Sequence, residues 1–320
     1  TYKQEQRLDD WLFYQLIRTT AEQISPKQEN YHRYTLYKWA LLNNCGYSAA
    51  IRMYKDTMLL YTQSNEVVYD IPFINLAGKQ YVCLNYHDYG SIDFEQSRFQ
   101  LVLVGTSKNA LAFSYKINQL PNFSDYPTIE KAIKFDYRSS SYDFKILVNK
   151  SVQKIFSNYP TVDYPLQFSI PLSKTTYESL IPALKKILTN KSQKQGIDYL
   201  MHLTRSAFAF ENDAHIYGKE KRLSAEQTLL YDYSDCEDRA AFFFCLVKEI
   251  YHLPMIVLSY PAHITVAVKF DQPMSNPIVY NGASYWVCEP SPQKKDLPVG
   301  KGLPALKKQA YEVVYAYNPH

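Results

Sequence analysis

A helical stretch followed by short β-type runs occurs at both ends of this chain, and that change of period constrains the fold more than any other feature. Near the N-terminus, "YHRYTLYKWALLNNCG" (31–46) spaces its apolar residues for a helix, and Gly46 can close it in a left-handed conformation. Residues 4–24 read as another helix before it. After it come "AAIRMY", "MLLYT", "VVYDI" and "QYVCLNY", each the length of a strand. Near the C-terminus, residues 172–188, 196–210, 224–231 and 236–251 read as helices, with strands at 255–260, 264–270, 277–281, 284–289 and 311–317. Between the two ends lie the strand-like runs "RFQLVLVG", "ALAFSYKI", "IKFDYR" and "FKILVN". The expectation is a multidomain α+β protein: a helix-plus-strands module over 1–85, an antiparallel β-sandwich-like domain over 86–170 and an α+β domain over 171–320.

The two ends also echo each other. "YTLYKWALLNNCGYSAAI" lines up with "RAAFFFCLVKEIYHLPMI", and "GKQYVCLN" with "GASYWVCEP". This puts Asn30 where Cys236 stands and Thr57 or Met58 near His263, so that 1–85 reads as a degenerate copy of the C-terminal module. Two unrelated helix-then-strands units would read the same way.

Composition narrows the function classes. At 320 residues and 46% hydrophobic, the chain can bury a core in more than one domain. Its 30 tyrosines suit half-buried strands and peptide- or sugar-binding surfaces. The net charge of +4 comes from 35 basic and 31 acidic residues that are interspersed, which asks for neither nucleic acid nor a charged membrane. The longest apolar run, "AAFFFCLV" (240–247), is too short to cross a bilayer. The five cysteines make no CxxC and no Cys/His cluster with zinc spacing, so no metal is expected. Cys45, Cys83 and Cys245 read as core or filler, and the alternation of "YWVCE" turns Cys288 to the face opposite Glu289.

Three pieces carry chemistry. "SDCEDRA" (234–240) sets Cys236 in the first turn of a helix, where unsatisfied N–H groups and the helix dipole favour a thiolate and an oxyanion. "PAHITVAVKF" (261–270) starts a strand with His263, held rigidly as a general base must be. "YWVCEPS" (285–291) ends a strand with Glu289, which can orient the imidazole if the strands share a sheet; Asp271 is the rival for that place. Asp235, Glu237 and Asp238 oppose ionisation of the thiol, although Asp235 also reads as the helix cap and Arg239 as a neutralising neighbour. Gln227 and Tyr217 precede the cysteine as candidate oxyanion donors, with capping and packing as their alternative roles.

In that order, "YGKEKRLSAEQTLLYDYSDCEDRAAFFFCLV", "AHITVAV" and "YWVCEPS" resemble the transglutaminase-like superfamily of cysteine enzymes, over about residues 175–317. The resemblance implies a papain-like α+β domain with Cys236 as nucleophile, His263 as base and then acid, and Glu289 as the orienting carboxylate. It implies acyl transfer through a thioester on a peptide, protein or cell-wall-type amide, without metal or organic cofactor. The family usually carries Asp at the third position and Gly before the Asp–Cys pair, where this chain has Glu289 and Ser234. A non-catalytic binding protein of the same fold and a protein-crosslinking enzyme are the competing expectations. The start at Thr1 and the accessory β-region fit an exported bacterial protein, while unpaired cysteines fit a reducing cytosol.

Overall fold

The computed structural model describes residues 2–90, 92–105, 109–121, 127–211 and 221–319. The chain is mixed α+β with two curled antiparallel sheets. It divides into two compact units, Thr1–Asn118 with Ile155–Asp163, and Gln119–Lys154 with Tyr164–His320.

The first unit begins with α1 (Tyr2–Glu5), α2 (Asp10–Ile24) and α3 (Tyr31–Asn44). Arg7 at φ 49° separates the first two, so the single helix expected over 4–24 is split. The Asn30 side chain caps α3 by accepting from Arg33 N–H, and Gly46 follows its end at φ +92°. Five strands follow: β1 (Ala49–Tyr54), β2 (Thr57–Gln63), β3 (Phe73–Leu76), β4 (Lys79–Cys83) and β5 (Gln100–Val104), in the spatial order β3-β4-β2-β1-β5. The returning segment completes the core. Trp11 donates its indole N–H to Ile155 O and meets the Tyr159 ring edge-on at 5.2 Å.

The second unit opens with a hairpin of two ten-residue strands, β6 (Thr128–Tyr137) and β7 (Ser140–Asn149). Helices α4 (Ser151–Ile155), α5 (Tyr164–Ser169), α6 (Lys174–Leu188) and α7 (Gln193–Ser206) come next. A short parallel pair, β8 (Ala209–Phe210) and β9 (Tyr233–Ser234), brackets α8 (Ala225–Leu230). Helix α9 (Cys236–Tyr251) leads into β10 (Met255–Tyr260), β11 (His263–Val268), β12 (Ile278–Tyr280), β13 (Ala283–Cys288) and β14 (Glu312–Tyr317), ordered β12-β13-β11-β10-β14. All neighbours in that sheet are antiparallel. Phe242, Phe243, Phe244, Leu246 and Val247 of α9 are fully buried in one core with Met255, Val257, Val266 and Val268 of the sheet. That accounts for the apolar run: a helix apolar all round is buried all round. Among the described residues no helix is long and apolar enough to cross a membrane.

The β-sandwich expected over 86–170 is not a separate body. Strand β5 pairs with β1 in the first unit. The β6–β7 hairpin instead packs Ile133, Phe135, Ile146 and Val148 into the core of the second, with Leu180 and Leu184 of α6. A two-stranded hairpin has too little apolar surface to stand alone, so it is stable only against helices.

Candidate active site

The register of β11 and β13 brings two of the three candidate residues together. Val266 lies opposite Cys288. Side chains alternate along a strand, so His263, three residues back, and Glu289, one residue on, both project from the other face. There His263 Nε2 and Glu289 Oε2 lie 2.9 Å apart. Glu289 is 1% exposed, and its second oxygen accepts from Ser291 N–H at 2.9 Å. Asp271, the rival acid, instead accepts from Gln193 Nε2 at 3.0 Å and is exposed. With Nε2 committed to Glu289, Nδ1 is the nitrogen left to face a nucleophile.

Helix α9 starts at Cys236, and the thiol is partly exposed. The Ile264 backbone amide, next to His263 along β11, lies close enough to the sulfur to favour its charged form. The structure therefore sets Cys236 against the backbone beside His263 without a direct hydrogen bond between their side chains. The helix start does not lower the thiol pKa as expected. Burial first, then Asp235, Glu237 and Glu289, push it up to about 12, against the Ile264 amide alone. The cap adds to the effect of burial. Asp235 accepts from the amides of both Glu237 and Asp238, at 2.9 and 3.1 Å, and Arg239 N–H goes to the Asp235 carbonyl. The first-turn donors are spent on the cap, and the cap brings a negative charge. Of those four amides, the N–H of Cys236 itself is the one left for an oxyanion.

The other expected helpers sort differently. Gln227 is 2% exposed and locked in a capping box with Ser224. Its Oε1 accepts from Ser224 N–H at 3.0 Å, which is the capping role. Tyr217 lies outside the described residues. Arg239 is fully buried and sends its hydrogen bonds to the carbonyls of Thr204, Arg205 and Phe208, not to a carboxylate. It is Arg222 that pairs with Glu237, at 2.8 Å, while Tyr164 donates to the same carboxylate at 2.7 Å. Cys245 and Cys288 are buried and Cys45 is exposed, all unpaired.

The sequence reading missed Arg205. Its Nε and one terminal nitrogen donate to the main-chain carbonyl of Glu289 at 2.9 and 2.6 Å, and it pairs with Asp296. A buried arginine thus fixes the corner where β13 ends, and with it the root of the Glu289 side chain. The one available signal was an arginine one helical turn from Met201 on a largely apolar face, in "YLMHLTR". Beside Glu289 opens a cavity of about 310 Å³, lined by Tyr260, Thr265, Ile278, Val287, Leu303 and Tyr311 among others. Among the described residues no group of three or more His, Cys, Asp or Glu side chains could hold a metal ion. No family model, curated protein or solved structure matches this chain.

Proposed function

We propose that the second unit carries out cysteine-dependent acyl transfer, most directly the hydrolysis of a peptide-type amide. The observation that carries this is the buried Glu289 carboxylate on His263 Nε2, with the neighbouring Ile264 amide close to the Cys236 sulfur. Because the thiol is pushed up in pKa, it is not a standing thiolate. Its proton passes to His263 Nδ1 as the sulfur attacks the amide carbonyl carbon. The oxyanion is met by the N–H of Cys236. His263 then returns the proton to the leaving amine nitrogen as the C–N bond breaks and a thioester remains. Water, deprotonated by His263, cleaves the thioester, and the product acid and the thiol are released. Throughout, Glu289 holds the tautomer with the proton on Nε2 and stabilises the imidazolium. The cavity beside Glu289, partly aromatic, is of a size that takes an amino-acid side chain.

A second reading, a non-catalytic binding protein, is favoured by one observation: the thiol pushed up to about 12 by burial and then by three carboxylates. Alkylation of Cys236 by iodoacetamide from pH 5 to 9, with the label located by mass spectrometry, separates the two. The enzyme reading expects neutral-pH labelling that drops at least tenfold in His263→Ala and strongly in Glu289→Gln. Identical profiles in all three proteins, rising only at high pH, would overturn the enzyme reading and favour the binding protein.

A further inference from the structure

The two five-stranded sheets share far more than strand order. The hairpin Tyr54↔Thr57 has a two-residue turn, as does Tyr260↔His263. The Leu76↔Lys79 hairpin turns through Ala77 and Gly78 at φ 50° and 76°, and the Tyr280↔Ala283 hairpin through Asn281 and Gly282 at 47° and 75°. The pairing of β1 with β5 skips one residue between Ile51 and Arg52, and that of β10 with β14 between Val257 and Leu258, the same step along equivalent strands. A bulge is a local device that nothing in a generic helix-plus-sheet unit requires. Tyr61 faces Cys83 where the equivalent Ala267 faces Val287. Each sheet follows a helix whose cap side chain accepts backbone N–H, Asn30 in one and Asp235 in the other.

These registers fix equivalent positions residue by residue. The first helical residue is Tyr31 where the second unit has Cys236, so Asn30 matches Asp235, and Tyr31, not Asn30, is the counterpart of Cys236. Thr57 matches His263, Met58 matches Ile264, and Asn85 matches Glu289. We propose that the N-terminal unit is a second copy of the site-bearing fold, in which the reactive positions have been rebuilt as a closed hydrogen-bond lock.

The lock is complete. The Tyr31 hydroxyl donates to Asp88 Oδ2 at 2.7 Å and accepts from Asn85 Nδ2 at 2.9 Å. Asn85 is wholly buried, takes Leu60 N–H at 2.8 Å and gives to Met58 O at 2.9 Å. Met58 N–H, the counterpart of the amide that meets the Cys236 sulfur, donates to the Tyr89 hydroxyl at 2.9 Å. Tyr89 stacks edge-on against Tyr31 at 5.3 Å. Two phenols occupy the space where the other copy keeps a thiol. The Tyr31 phenol is held protonated by burial and by Asp88, and Thr57 brings no basic nitrogen. The copy therefore keeps the architecture and none of the three side chains of the proposed Cys–His–Glu set. This does not depend on Cys236 being catalytic.

Two measurements on the full chain test it. In Tyr31→Cys/Thr57→His/Asn85→Glu, iodoacetamide at pH 7 should label position 31 at least tenfold faster than in Tyr31→Cys alone. Equal rates in the folded triple variant would overturn the equivalence, provided Cys236 of the parent shows its own dependence on His263. Should the parent lack that dependence, or the triple variant fail to fold, a stability cycle decides. Tyr31→Phe and Asn85→Ala should each lower the unfolding midpoint, the double variant should lose less than the sum, and Cys236 labelling should stay within twofold of the parent. Additive losses, no loss, or altered Cys236 labelling would overturn the lock.

Discussion

At the scale of single residues, Cys236, His263 and Glu289 could be singled out because each sits at or beside the end of an element, where sequence pattern is sharpest. The protonation of Cys236 was not legible, because it depends first on how deeply the fold buries the thiol and then on the carboxylates the fold gathers round it, Glu289 among them. Arg205 was illegible for a related reason: it acts on a carbonyl 84 residues away in sequence. Its fork bridges the carbonyls of Glu289 and Leu297 and the Asp296 carboxylate, which one ammonium cannot do. Arg205→Lys should therefore lower the His263-dependent labelling of Cys236 by iodoacetamide at pH 7. Lys38 makes a different prediction. It is wholly buried, with its Nζ over the Tyr34 ring at 4.2 Å, and burial lowers its pKa to about 7. In the unfolded chain it keeps its proton to about pH 10.5. Between those values folding releases a proton, so stability rises with pH across the window. Lys38→Met should stabilise the protein, by on the order of 4 kcal/mol at pH 7 and below, with the gain fading towards pH 10.5. Urea melts at pH 7 and 10 check this.

At the scale of elements, α9 and β10–β14 were read nearly residue for residue, because buried helix and short strands differ in period and are separated by turn residues. The expected helix over 4–24 failed at Arg7, whose left-handed conformation no local pattern announces. The α9 cap links element stability to site chemistry. Asp235→Asn keeps an accepting oxygen for the cap and removes the charge, so the Cys236 labelling profile should move to lower pH with the melting temperature little changed. Asp235→Ala should move the profile the same way and also cost about 1 kcal/mol of stability, the ordinary worth of such a cap. If both variants label like the parent, Asp235 is not what holds the thiol up.

At the scale of the whole molecule, the mixed α+β class was legible and the partition of the middle third was not. Local pattern shows that 100–104 and 128–149 are strands. It does not show that the first pairs with Ala50–Met53 and that the second docks on helices of another unit. Such choices are made by long-range register, which leaves no local mark. The first unit also needs its returning segment. Tyr159 donates to Tyr115 O at 2.6 Å, and Val162 bridges Val68. A chain ending at Asn118 should leave Trp11 exposed to water, with red-shifted emission compared with one ending at Asp163.

That return path has a consequence for synthesis. The protein is made from the N-terminus, and early domains usually fold while later ones are still being added. Here the first unit cannot close when its own first 118 residues emerge, because its last strip, Ile155–Asp163, lies beyond a stretch that belongs to the second. The ribosome must deliver the β6–β7 hairpin before its helical support exists. Until then the nascent chain carries an unfinished sheet, with Leu101, Val102 and Val104 on a strand that is exposed even in the finished unit. Its best protection in that interval is speed of elongation or a chaperone, and pausing before residue 163 should raise its tendency to aggregate.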